Sequence, residues 1–400
     1  MNVVIALIAL VLLSIIWLVL DFSLGLKKHL ASSTQKETPI LHGDLDIFPH
    51  GKKLFTDYFA EIRAAKHHVH VLFYIIKNDP FSQEFFQLLK NKAQQGIEVR
   101  LLLDQLGGLK VKRADIQALK QAGVQFAYCN RIRFPFLFYT AQVRNHRKVS
   151  IIDGKIGYLG GFNIGKEYID QDPKLSPWRD YHLKITGESV NFLQSEFLID
   201  WRIATGENLQ RDTFYFPKLH QGSVRHRLVP TECGQLEGFQ IRLIQKAKRT
   251  ILIGTPYFIP SKKVLNELLT ALGRGVNLTI LTPYTADHIL VQEASYRFLR
   301  VLISAGAQVY QYKKGFYHAK VIVIDDKVCD VGTANFDNRS FFLNKEINCY
   351  IYDRPFIERL LSVLNQDILD SELMSLENLN KPNVGRAVKE AAAQAISFFL

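Results

Sequence analysis

Two histidines and two lysines recur in this chain at one spacing, and together they suit the binding and attack of a phosphodiester. The pattern His-x-Lys-x4-Asp, followed at fixed distances by Gly and Asn, occurs as His146, Lys148, Asp153, Gly160 and Asn163. It returns as His318, Lys320, Asp325, Gly332 and Asn335, with all five positions displaced by the same 172 residues. One copy is compatible with chance; two in identical register mark a duplicated half-site. The lysines and asparagines would neutralise and hydrogen-bond the non-bridging oxygens as charge develops in the transition state. One imidazole would attack phosphorus to give a covalent phosphohistidine, and the other would protonate the leaving alkoxide. With an ordinary pKa of about 6.5, histidine can take either part near neutrality. The sequence offers no carboxylate cluster for a metal, so neither a metal nor another cofactor is expected.

Each motif sits against a β-branched run, Val149-Ser150-Ile151-Ile152 and Val321-Ile322-Val323-Ile324. On a strand, residues two apart share a face, which would set each imidazole beside its ammonium. Asp153-Gly154 and Asp325-Asp326 then read as hairpin turns, leaving two roles open for Asp153 and Asp325, turn formation or catalysis. Asn163 and Asn335 each follow a glycine-containing segment, where an amide could donate to an anionic oxygen. Asp180 and Glu346 occupy like positions after the two asparagines. They are candidates for carboxylates that accept the second ring N–H of a histidine and fix its tautomer, the alternative being surface acids at strand starts.

The elements that must position these groups are duplicated too. Strand-like runs at 66–75 and 248–259 lead into helical stretches that end at Gly96 and Gly275, then into the strands 97–104 and 276–283. Ala122-Gly123-Val124 and Ala305-Gly306-Ala307 close the next helix of each half. Strands alternating with helices of this length predict an α/β architecture, with one domain over 40–205, a second over 235–400 and a polar seam between. The halves differ just before the histidine, where the first carries an extra aromatic segment, Arg131 to Tyr139, flanked by arginines. It suits a loop dipping into a membrane interface, or equally a covered apolar loop. The final helix, 384–400, is expected to pack on the core.

Asn2 to Leu20 is an uncharged, largely aliphatic run long enough to cross a bilayer. It lacks the basic start and small-residue cleavage site of a signal peptide, so residues 1–26 are read as a retained anchor separable from the enzyme body. Lys27, Lys28 and His29 follow it, which by the positive-inside rule puts the body on the cytoplasmic side of the cell membrane. The net charge of +12 suits anionic lipid and nucleic acid alike. Four scattered cysteines without a CxxC pair indicate neither zinc nor a disulfide framework.

The paired motifs resemble the phospholipase D superfamily, and within it the bacterial cardiolipin synthases. The likeness is carried further by Gly160-Gly161-Phe162-Asn163, Trp178-Arg179-Asp180-Tyr181-His182, Thr255-Pro256-Tyr257-Phe258-Ile259-Pro260 and Gly332-Thr333-Ala334-Asn335-Phe336-Asp337-Asn338-Arg339-Ser340. It runs from about residue 40 to the end. The resemblance implies two pseudo-symmetric αβ domains with the active site at their interface, preceded here by one transmembrane helix where many such synthases have two. It implies transfer of a phosphatidyl group between two phosphatidylglycerol molecules, giving cardiolipin and glycerol, with His146 attacking and His318 as general acid. The partners implied are phosphatidylglycerol, other anionic phospholipids and the membrane. A phospholipase D using water is the nearest rival. A nuclease fits the charge but not the anchor, so no nucleic acid partner is expected; a non-enzymatic scaffold does not fit the intact repeat.

Overall fold

The computed structural model describes residues 2–33, 38–288 and 290–399. Apolar runs bounded by turns form the expected strands, and among the described residues each of the seven strands of the first half has a counterpart in the second, which adds four short ones. The first half contributes β1 (Leu41–His50), β2 (His68–Phe73), β3 (Glu98–Asp104), β4 (Gln125–Cys129), β5 (Val149–Ile152), β6 (Ile156–Gly160) and β7 (Trp178–Gly187). The second contributes β8 (Val224–Thr231), β9 (Thr250–Gly254), the short β10 (Phe258–Ile259), β11 (Asn277–Pro283) and β12 (Gln308–Tyr312). After the short β13 (Phe316–Tyr317) come β14 (Val321–Ile324), β15 (Val328–Gly332), β16 (Phe336–Asp337), β17 (Glu346–Ile351) and the edge strand β18 (Ser371–Leu373).

Fifteen of these strands lie side by side in the order β4-β3-β2-β5-β6-β7-β1-β8-β17-β15-β14-β9-β11-β12-β18. The order reads as a palindrome about β1 and β8, which pair antiparallel as Leu41↔His226, His42↔Arg225 and Gly43↔Val224. β2, β3 and β4 are parallel, as are β9, β11 and β12, while the motif hairpins β5–β6 and β14–β15 are antiparallel. One continuous sheet therefore crosses the seam. The second half opens at Val224, upstream of the expected 235, because β8 carries Pro230 and three basic residues that mask its strand pattern.

Helices cover the sheet. The first half supplies α1 (Asn2–Ser32), α2 (Gly51–Ala64), α3 (Pro80–Gln94), α4 (Arg113–Gln121), α5 (Leu137–Gln142) and α6 (Ser189–Thr205). α3 starts where the Asp79 carboxylate accepts the Ser82 N–H at 2.9 Å with Pro80 in the first turn. Each half has its own core, and a third core joins them, with Leu183, Phe197 and Trp201 of one half packed in a cluster with Ile347, Cys349 and Leu360 of the other. All four cysteines are free and buried.

α1 is long and apolar enough to cross a membrane over Asn2–Ala31, and its first turns are exposed. It does not end at 26, and its last turns are not a free tether. Asp21, Gly25 and His29, four residues apart, make one stripe against Tyr139. The Asp21 carboxylate accepts the Tyr139 N–H at 2.7 Å, and His29 Nδ1 meets the Tyr139 hydroxyl at 2.7 Å. A Cβ at Gly25 would stand 2.5 Å from the Tyr139 ring, so glycine alone permits the approach. Phe22 packs on Phe398 and Phe399 at the far end of the chain. The anchor and the body thus meet along residues 21–29, inside the segment expected to be separable. The aromatic loop is divided: Phe136 and Tyr139 pack inward with α1, while Ile132 and Phe134 are exposed.

Candidate active site

His146 and His318 stand just ahead of β5 and β14, and the expectation that each His-x-Lys lies on its strand needs correction. The strands begin at Val149 and Val321, one residue after each lysine. The reason lies in the backbone bonding, which at each histidine goes to the opposite half. The His146 N–H donates to the Lys345 carbonyl at 2.9 Å and the His318 N–H to the Arg179 carbonyl at 2.6 Å. The lysine nonetheless stays beside its histidine. Lys148 Nζ donates to the His146 carbonyl at 2.6 Å, and Lys320 Nζ to the His318 carbonyl.

Lys345 and Arg179 immediately precede Glu346 and Asp180, so the same exchange carries the carboxylates across. His146 Nδ1 lies 3.0 Å from both oxygens of Glu346, and His318 Nδ1 lies 2.6 Å from Asp180 Oδ2. Each histidine comes from one half and the carboxylate on its Nδ1 from the other; His146 Nε2 is left for chemistry, while His318 Nε2 lies 3.3 Å from the Lys320 ammonium. Glu346 is buried and also accepts from the hydroxyls of Thr333 (2.6 Å) and Ser340 (2.9 Å) and from the Asn344 amide (3.3 Å). Asp180, also buried, accepts the Tyr181 N–H at 2.8 Å and the Lys320 ammonium at 3.4 Å. Gly161 makes room for it: a Cβ there would come within 2.0 Å of the carboxylate.

Burial dominates the electrostatics. It lowers the pKa of His146, with Glu346 opposing and Lys148 assisting. It takes His318 down to about 4, with Lys320 assisting and Asp180 opposing. Both imidazoles are therefore neutral near pH 7 with no anion bound. Burial also lowers Lys148, to about 7, and Lys320. It pushes the Asp180 carboxyl up, yet Lys320 and His318 outweigh it and the net shift is downward; His146 and Lys148 do the same for Glu346. The fields overlap, since Lys320 acts on both His146 and Lys148. The two half-sites are electrically one site.

Of the two roles open to Asp153 and Asp325, their bonding is that of turn residues. Asp153 accepts the backbone N–H groups of Lys66, His67 and His68 at 2.9, 2.7 and 3.0 Å. Asp325 accepts those of Lys248, Arg249 and Thr250 at 2.8, 2.7 and 2.8 Å. Both have positive φ in the hairpin turn, at the end of the strand away from the histidine, so they staple the hairpin to β2 or β9. Asn163 is buried with its carbonyl oxygen on the Ile75 N–H at 3.1 Å and its amide nitrogen 3.3 Å from the Tyr168 hydroxyl. Asn335 is buried and donates to Asp337 at 3.0 Å.

Residues besides the repeated motif positions complete the seam. Arg147 donates to Glu196 (3.2 Å), to Asp200 (3.1 Å) and to the Glu346 carbonyl (3.1 Å), and Lys345 pairs with Asp200 at 3.2 Å. Arg179 grips Asp367 at 3.0 and 2.7 Å. Tyr74 packs on His146 and Trp178 on His318, with ring centroids 5.0 and 4.9 Å apart. Arg147, inside the motif, and the basic residue before each orienting acid were the available signals.

A family profile described as cardiolipin synthase, phospholipase D-like domain, matches residues 58–174 and 240–368, one segment in each half. The minor cardiolipin synthase ClsB of Bacillus subtilis is 42% identical over 357 residues, covering 89% of this chain and 89% of that protein. Cardiolipin synthase 2 of Staphylococcus epidermidis is 37% identical over 360 residues, covering 88% of this chain and 74% of its own length. Among solved structures, the phosphatidylserine synthase of Haemophilus influenzae superposes with a TM-score of 0.71 over 91% of this chain and 97% of that one. At 16% identity that match speaks for the fold.

Proposed function

The chain belongs to the cardiolipin synthase family with the phospholipase D-like domain, and from that premise we propose how its paired half-sites divide the work of a phosphatidyltransferase. His146 Nε2 attacks the phosphorus of a first phosphatidylglycerol. The bond from phosphorus to the glycerol oxygen breaks, the alkoxide takes a proton from His318 Nε2, and a phosphatidyl group remains on His146. The terminal hydroxyl of a second phosphatidylglycerol then loses its proton to His318 and attacks phosphorus. The P–N bond breaks, cardiolipin forms and His146 is restored. Lys148 and Lys320 hold the non-bridging oxygens, with Asn163 and Asn335 as further donors once their present partners yield.

The observation that carries the division of roles is the unequal sharing of the two carboxylates. Glu346 is hydrogen-bonded by neutral groups besides His146, so no ammonium competes for its bonds to that ring, which favours attack. Asp180 is shared with the Lys320 ammonium, so His318 gives up a proton more readily. The negative charge of the bound phosphodiester raises the lowered histidine pKa values enough to load the acid.

Exposing the purified protein to phosphatidylglycerol vesicles, quenching in alkali and mapping adducts by mass spectrometry tests the assignment. A phosphatidyl group on the His146 peptide is expected, with cardiolipin and glycerol released in equal amounts. An adduct on His318 reverses the roles, and phosphatidic acid as the main product would make water the acceptor. We place the body on the cytoplasmic face because Lys27 and Lys28 follow the span; protease digestion of sealed inside-out vesicles should remove it.

A further inference from the structure

Beside the foot of α1 opens a cavity of 790 Å³ to which the histidine chemistry gives no occupant. Its walls are the last turns of α1, the Arg131–Pro135 loop, α5 and the end of α6, and Lys345 lies against it. Lys28, Arg131 and Arg133 line it and, among the described residues, enter no ion pair: Lys28 lies 5.9 Å from the Phe136 ring, and Arg131 Nε donates to the Tyr128 carbonyl. Lys345 differs, being neutralised by Asp200 and Glu232. The apolar lining is equally open, with Phe134 81% and Ile203 58% exposed.

We propose that this cavity is a lipid seat separate from the histidine pair, taking an anionic glycerophospholipid from the bilayer that α1 crosses. The phosphate rests among Lys28, Arg131 and Arg133, and an acyl chain runs along Phe134 and Ile203. Three unpaired cations call for a phosphate, the open aromatic and aliphatic side chains call for hydrocarbon, and the mouth adjoins the helix that enters the membrane. A free phosphate has no use for Phe134 and Ile203. The seat also backs onto the reacting centre, since the Lys345 carbonyl holds the His146 N–H. The inference rests on α1 as a membrane span and not on the division of catalytic roles.

Full-length protein in phosphatidylcholine vesicles, doped with a phosphatidylglycerol carrying a photoactivatable acyl chain, tests it by mapping cross-links. Labelling is expected on the peptides containing Phe134 and Ile203, and it should survive His146→Ala. In Arg131→Gln/Arg133→Gln, two exposed changes, it should fall by on the order of tenfold. Arg131→Lys/Arg133→Lys should restore it, and excess inorganic phosphate should leave it in place. Three results would each overturn the seat: labels confined to the peptides around His146 and His318, an equal yield at Ile203 with a phosphatidylcholine probe, or displacement by inorganic phosphate.

Discussion

The first half-site and the second are built on one plan, yet their surroundings differ at matched positions. Thr333 bonds Glu346 where the first half has Gly161, and Ser340 bonds it where the first half has Tyr168. The cradle around Asp180 lacks those hydroxyls and contains Lys320 in their place. In the seam, Asp200 gathers Asn145, Arg147 and Lys345, whereas Asp367 takes one bidentate arginine, Arg179, and the Tyr181 hydroxyl. Position 147 is arginine and its counterpart is Ala319. The lesson is that symmetry is kept in the reacting groups and spent in the groups that tune them, so two like histidines can perform unlike steps.

The hardest test of this view is removal of the histidines. His146→Ala and His318→Ala should each cost several kcal/mol of transition-state stabilisation, about a thousandfold or more in cardiolipin formation. Either variant keeping a sizeable fraction of turnover would show that the halves do not form one site.

Neutralising the orienting acids separates the halves. Asp180→Asn and Glu346→Gln should each slow turnover by on the order of a hundredfold or more, and Asp180→Asn should be the worse. Only there does the loss also remove a carboxylate that is hydrogen-bonded to a buried ammonium. Equal losses would mean that Lys320 does not weaken the hold of Asp180 on His318.

The pH profile of kcat/KM sharpens the contrast between the lysines. Lys148, held at about 7, is charged below that value, so activity should decline as pH rises through about 7. His146, the attacking ring, is also lowered and stays neutral until pH falls below the ordinary histidine value of about 6.5, so its protonation puts the acid limb there. Lys148→Arg should lower the plateau, because a planar fork replaces a point charge, and should abolish the alkaline limb. Lys320→Arg should leave that limb where it is. A limb unmoved by Lys148→Arg assigns it to another group.

The smallest effect is expected at the hairpin turns. Asp153→Ala and Asp325→Ala should lower stability by about 1–2 kcal/mol in urea melts and leave kcat per folded molecule nearly unchanged. A large loss of kcat in a stable variant would return these aspartates to the catalytic list.

Much of this centre was legible in the chain because duplication makes register visible. The matched spacing picked out the histidines, lysines and asparagines, and it placed Asp180 and Glu346 at equivalent points. It did not tell which acid serves which histidine, since a repeat looks the same whether its parts pair within a copy or between copies. The role of the motif aspartates stayed open because a turn-forming carboxylate and a reacting one are the same residue type. Arg147, Asp200 and Lys345 escaped notice because charged residues read as surface until a partner is seen. The docking stripe on α1 was hidden by an otherwise apolar run, although Asp21, Gly25 and His29 carry the four-residue period of a helix face.

The exchange of supports across the seam also bears on descent. A lone half has a histidine without its acid and an acid without its histidine. Two copies facing across a dyad would supply both wants at once, so a homodimer of such halves would keep every contact made at the centre. Joined in one chain, the two copies can differ in sequence as those of a homodimer cannot. Threonine opposite glycine and arginine opposite alanine use that freedom beside two histidines that are the same in both copies.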